Sequence, residues 1–142
     1  MKDNRQILTS ILKTAQMGQV GIESVLDFAE DPGLRTALRD QEQEYGRIEQ
    51  EAQRIASRRG WPLPGLSGSA RFLADRMSRM KLLGSRSDSR IADMMIQGNT
   101  QGLIKSLRDF HRLLHPEDEI ADLNQKLLRW EHDNIRQMEP YL

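Results

Sequence analysis

GWPLPGLSGS, residues 60–69, divides the chain into two halves. Its prolines cannot donate a backbone hydrogen bond and its glycines hold no preferred conformation, so neither a helix nor a strand ladder runs through it. On either side, apolar residues recur three or four apart, the period that stacks side chains on one helix face. Before the break, the stripe Ile7, Leu8, Ile11, Leu12, Ala15, Gly18, Ile22, Val25 and Leu26 predicts a helix from about Asp3 to Ala29. Asp31 and Pro32 then mark a second start, because the Asp side chain caps free amides and proline loses nothing at the first helical position. This second helix runs to about Arg59 on Leu34, Leu38, Gln41, Tyr45, Ile48, Ala52 and Ile55, and Gly60 ends it.

After the break, residues 70–84 predict a short helix capped by Ser69 and closed by Gly84. A third long helix begins near Asp88 and carries Ile91, Met94, Met95, Gly98, Gly102, Ser106, Phe110 and Leu113. Pro116 with Glu117, Asp118 and Glu119 opens the last helix, since carboxylates there complement the helix dipole. Its inward face reads Ile120, Leu123, Leu127, Glu131, Asn134 and Met138.

The pattern predicts an all-α four-helix bundle in a single domain: hairpin one over residues 3–59, a crossover over 60–87, and hairpin two over 88–142. Short connections make each hairpin antiparallel, whereas the middle connection is long enough to run along the bundle and leave the second and third helices parallel. A simpler alternative makes 69–114 one long helix bent at Gly84.

The 142 residues suffice for a core without disulfides, and with no cysteine present thiolate chemistry is excluded. Twenty-one basic residues balance twenty-one acidic ones, so no bulk field favours nucleic acid or an anionic membrane. The spaced apolar residues of the N-terminus do not resemble a signal peptide, and no run approaches the roughly 20 apolar residues of a membrane span. A cytoplasmic location is expected.

The two hairpins look like copies. QEYGRI at 43–48 and WEHDNI at 130–135 share a skeleton that pairs Glu44 with Glu131 and Arg47 with Asn134. MGQVGI at 17–22 against QGLIKS at 101–106 pairs Gly18 with Gly102. Glycine inside a helix costs about 1 kcal/mol relative to alanine, so both positions predict a close helix approach or room for a neighbouring side chain.

On these motifs the chain resembles the ferritin-like superfamily, rubrerythrin-type bundles included. It also resembles a group of uncharacterised clostridial helical proteins with a Met-Gly step in the first helix and an MIQG step in the third. The superfamily's di-iron members carry a glutamate on helices one and three and a Glu-x-x-His on helices two and four. The resemblance places Glu44 and Glu131 at the motif glutamates, and Arg47 and Asn134 where the histidines would be. Counted back from Phe28-Ala29, Gly18 falls at the first-helix ligand and Gly102 at its counterpart.

Four of six ligands are then missing, and no metal cofactor is expected. Arg47 is expected to stand in for the lost cations by bridging Glu44 and Glu131, helped by Asn134, Gln41 and Gln16. Two alternatives stay open: Glu44 and Arg47 as an ordinary solvated pair, or a reduced iron or manganese site around Glu44 and Glu131 with Gln16, Gln97 or Gln101 nearby.

His111 and His115, four apart, could share a metal but read better as exposed residues at a helix C-terminus. His132 points about 100° away from Glu131. The basic segment containing Arg71, Arg76, Arg79, Lys81, Arg86 and Arg90 reads as a solvated face more than as a patch for an acidic partner. No nucleophile–base pair or phosphate-cradling loop stands out. The function expected is therefore non-enzymatic, an interaction or scaffold protein with a homodimer or other protein partner and no nucleic acid or membrane. A metal protein is one alternative. A small-ligand binder, if Gly18 and Gly102 leave a central cavity, is the other.

Overall fold

A computed structural model of the chain describes residues 3–65, 68, 87–112 and 118–142. Among the described residues there are four long helices and no strand: α1 (Asn4–Leu26), α2 (Pro32–Arg58), α3 (Asp88–Arg112) and α4 (Asp118–Met138), the last followed by a 3-10 turn at Glu139–Tyr141. The short helix expected over 70–84 lies outside the described residues, as does His115.

The helix starts are local chemistry. Asp3 Oδ1 accepts from the Gln6 amide at 2.8 Å and the Asp3 amide donates back to Gln6 Oε1 at 3.0 Å, a reciprocal capping box. Asp31 accepts from the Leu34 amide at 3.1 Å with Pro32 in the first helical turn. The first helix ends earlier than Ala29, at Leu26, because Arg35 of the next helix donates to the carbonyls of Leu26 and Ala29, at 2.9 Å each. Those acceptors no longer require another helical turn. Gly60, at φ +66°, takes the left-handed conformation that ends α2.

Contacts between the hairpins orient them. Asp88, at the start of α3, accepts from the backbone amides of Glu30 and Asp31 at 2.8 and 2.9 Å, immediately before α2. At the opposite end of α2, Arg58 and Arg59 donate to Glu119 near the start of α4, at 2.8 and 2.6 Å. Helices α2 and α3 therefore begin at the same end and run parallel. No described helix is long and apolar enough to cross a membrane.

Packing is densest within each hairpin, α1 on α2 and α3 on α4, and sparser between the hairpins. Aliphatic side chains fill both ends: Ile7, Leu8, Ile11, Ile55 and Ile120 at one, Val25, Leu34, Leu38, Ile91 and Met138 at the other. Each fully buried residue of this kind stabilises the fold by about 1.5–3 kcal/mol relative to exposure. Most of the buried polar residues come from hairpin two: Asn99, Glu131 and Asn134 toward the middle, and Ser106, Asp109 and Asn124 nearer the Ile7 end. Two of these are paired locally, with Ser10 donating to Asp109 Oδ2 at 2.6 Å and Asn124 donating to the Ser106 carbonyl at 3.0 Å.

Candidate functional site

The buried positions of α2 and α4 match in order and spacing. Leu34, Leu38, Gln41, Tyr45, Ile48 and Ala52 correspond to Ile120, Asn124, Leu127, Glu131, Asn134 and Met138. Glu131 is thus in register with Tyr45 and not with Glu44, one residue away from the alignment drawn on the motifs. One residue is about 100° of helix rotation, enough to move a side chain from the core to the surface.

That rotation decides where the expected network falls. Glu44 lies at the edge of the core with its side chain 14 % exposed, accepting from the 64 % exposed Arg47 at 2.8 Å and lying 3.7 Å from Lys126 Nζ. Arg47 does not bridge Glu44 and Glu131. It forms an ordinary surface pair one helical turn from its partner. Glu131 and Asn134 are buried as expected, but their central partner is Tyr45. Gln41 is also buried, and it donates to Gln137 at 2.8 Å. Gln97 is occupied with Asp93 on the surface.

The Tyr45 hydroxyl lies 2.7 Å from Asn99 Oδ1 and 2.9 Å from Glu131 Oε1, and Asn134 Nδ2 donates to it at 3.4 Å. A phenol has one proton to give. Tyr45 can give it to Glu131 Oε1 or to Asn99 Oδ1; when it goes to Asn99, the contact with Glu131 is kept by a protonated carboxyl donating to Tyr45. Burial favours that state: it pushes the Glu131 carboxyl up to about 8, against the smaller lowering effect of the Tyr45 hydrogen bond. Burial, and then the charge of Glu131, also hold the Tyr45 phenol well above its ordinary value. The centre of the bundle is accordingly a neutral network near neutral pH. Among the described residues it still leaves Glu131 Oε2 and Asn134 Oδ1 buried without a hydrogen-bond partner.

The two glycines supply the space. A Cβ at Gly18 would sit 2.6 Å from the Tyr45 ring, and one at Gly102 would sit 2.9 Å from the Glu131 carboxyl. Each therefore makes room for a side chain of the adjacent helix. Gly21 and Gly98 are different, since a Cβ at either meets nothing within 4 Å among the described residues.

These residues border a cleft of about 510 Å³ between α1 and α3. Lys13, Met17, Gly18 and Gly21 form one wall; Met94, Met95, Gly98, Gly102 and Lys105 form the other; Tyr45, Asn99 and Glu131 lie at its floor. Met94 and Met95 pack partly against the core as well as lining the cleft, whereas Met17 is 43 % exposed.

The residues do not fit a di-metal centre. Among the described residues no three His, Asp or Glu side chains gather where they could hold an ion. Glu44 and Glu131 face different ways, and His111 is exposed beside Phe110, its ring edge-on at 5.8 Å. Tyr45 and Asn99 were not legible as site residues from the motifs. The available signal was a tyrosine in the middle of a buried stripe, since a buried phenol needs a partner. No protein-family model, curated protein or solved structure matches the chain.

Proposed function

We propose that this chain is a cytoplasmic small-ligand binding protein whose site is the cleft between α1 and α3. The observation that carries the reading is the pair Gly21 and Gly98. Each sits inside a long helix, where glycine costs about 1 kcal/mol relative to alanine, and among the described residues neither is required by packing. What they preserve is the width of the cleft. Its volume of about 510 Å³ falls in the range of small-molecule sites, roughly 300–1,000 Å³. The lining has the matching composition, with flexible methionines on the walls and a few convergent polar groups at the floor.

The reading is compatible with a ferritin-like ancestry in which hairpins one and two are copies. The matched burial of α2 with α4, and of Gly18 with Gly102, supports that descent. In this view the position of a metal glutamate on the fourth helix is kept by Glu131, while its partner positions have become a cleft.

The test is a thermal-shift screen of a fragment library against the protein and against Gly98→Leu and Gly21→Leu. Each leucine projects into open cleft, so both variants should fold and lose the fragments that stabilise the parent. Fragments that stabilise parent and filled variants equally would refute the site.

A second reading, an interaction protein that pairs with a second copy, is favoured by Ile104, Leu107 and Phe110. They are 40–44 % exposed and follow one another three apart along α3. Sedimentation of the parent and of Leu107→Glu decides it: a dimer dissociated by the charge supports pairing, and a monomer in both rejects it.

A further inference from the structure

The lining of the cleft changes character along its length, which narrows the ligand, an inference that rests on the cleft being a binding site. Helix α1 is antiparallel to α2 and so to α3, and the bond from Ser10 to Asp109 sets the register between α1 and α3. Lys13 and Lys105 therefore stand at one end of the cleft, and Ile22, Met94 and Met95 at the other. The shallower depression beside the cleft agrees with this placement, because it shares both lysines and none of those three apolar residues. From Lys13 to Ile22 the helix rises about 14 Å.

The two ends make different demands. At the first, Lys13 is half-buried and has no ion-pair partner among the described residues. Lys105 already has an interaction of its own, which leaves Lys13 as the charge open to a ligand. A cation in a recess with low-dielectric walls attracts an anion. Further along, the walls are apolar: Met17 is exposed, Met94 and Met95 are half-buried, and Gln97 is bonded to Asp93 on the surface. The floor adds little polarity, since Tyr45, Asn99 and Glu131 are buried and bonded together through the Tyr45 hydroxyl. An occupant of this part gains by burying hydrocarbon.

We propose that the cleft takes a free fatty acid of medium length, its carboxylate at Lys13 and its alkyl chain lying between α1 and α3 toward Met94 and Met95. The charge of Lys13 selects the acid over a cationic amphiphile of the same length. The flexible thioethers on the walls adapt to a chain that has no fixed shape.

Isothermal titration of the full chain with decanoate, hexanoate and decylamine, each below its micelle concentration, tests this. Decanoate should bind tighter than hexanoate by on the order of a hundredfold, the gain from burying the added methylenes. It should also bind about tenfold tighter than decylamine near neutral pH, where the amine is an ammonium. Lys13→Glu should reverse that order, a change that a merely structural role for Lys13 would not produce. Met17→Glu, at an exposed position, sets a carboxylate in the path of the chain and should weaken decanoate while the circular dichroism spectrum stays that of the parent.

Decylamine matching decanoate in both the parent and Lys13→Glu would overturn the role of Lys13, and hexanoate matching decanoate would overturn the alkyl chain. Decanoate held as tightly by Gly98→Leu and Met17→Glu as by the parent would place it outside the cleft and overturn the proposal. Silence from all three probes overturns the ligand class. The fragment screen then judges the cleft separately, since fragments lost from Gly98→Leu and Gly21→Leu would keep it as a site for another chemistry.

Discussion

Replacing Glu131 by glutamine should stabilise this protein, by an amount that grows with pH. The carboxyl is raised from 4.5 to about 8 by burial. Between those values the folded chain keeps a proton that the unfolded chain has lost, so folding stability falls by about 1.4 kcal/mol per pH unit. The contribution is fully present below the unfolded value, is lost as pH rises toward about 8, and is constant beyond it. By pH 7 the loss is on the order of 3 kcal/mol, a large share of the roughly 5–15 kcal/mol that holds a domain together.

Glutamine has the same shape and stays neutral. Its amide offers the Tyr45 hydroxyl an acceptor or a donor, as a protonated carboxyl can. The variant and parent should therefore unfold alike near pH 4.5, the unperturbed carboxyl value. Near pH 7 the variant should melt higher by on the order of 10 °C. Urea denaturation followed by far-ultraviolet circular dichroism across this range measures the difference. Glu42 is also raised, by burial and then by Glu23, but it titrates in both proteins and cancels from the comparison. A parent–variant difference that stays flat with pH would refute the buried neutral acid, and one that shrinks as pH rises would reverse the sign of the reasoning.

Gly98→Ala and Gly21→Ala should each stabilise by up to about 1 kcal/mol, since the new Cβ meets no neighbour among the described residues and helix propensity improves; thermal melts check both. Gly102→Ala should instead destabilise, because the Glu131 carboxyl lies 2.9 Å from the new methyl and is itself held in the network. Tyr45→Phe should cost about 1–3 kcal/mol in urea midpoints by stranding Asn99 Oδ1 and the Asn134 amide without the hydroxyl. Arg47→Ala should change stability by less than about 1 kcal/mol, which would separate the observed surface pair from a core bridge.

The positions of the helices were legible in the chain because they depend on neighbours in sequence. Asp3 with Gln6, and Asp31 with Pro32, form their caps within one turn, and the apolar stripes need only the helical period. The sense of the hairpins followed from the short connections. The glycines at 18 and 102 were recognisable as space for a side chain because their cost is local and has to be offset by something.

Which side chain each glycine admits was a tertiary matter. A stripe with a period of 3.6 residues defines a face about two residues wide, so Glu44 and Tyr45 both lie near its edge. Sequence likeness chose Glu44, because Glu-x-x-Arg matches Glu-x-x-Asn. Packing chose Tyr45, because its ring fills the hollow over Gly18 and its hydroxyl reaches Asn99 and Glu131 on two other helices. The protonation of Glu131 was settled in the same way. A carboxyl carries no mark in the sequence of how far it will be taken from water, and only the closure of four helices around it makes the neutral acid the stable form.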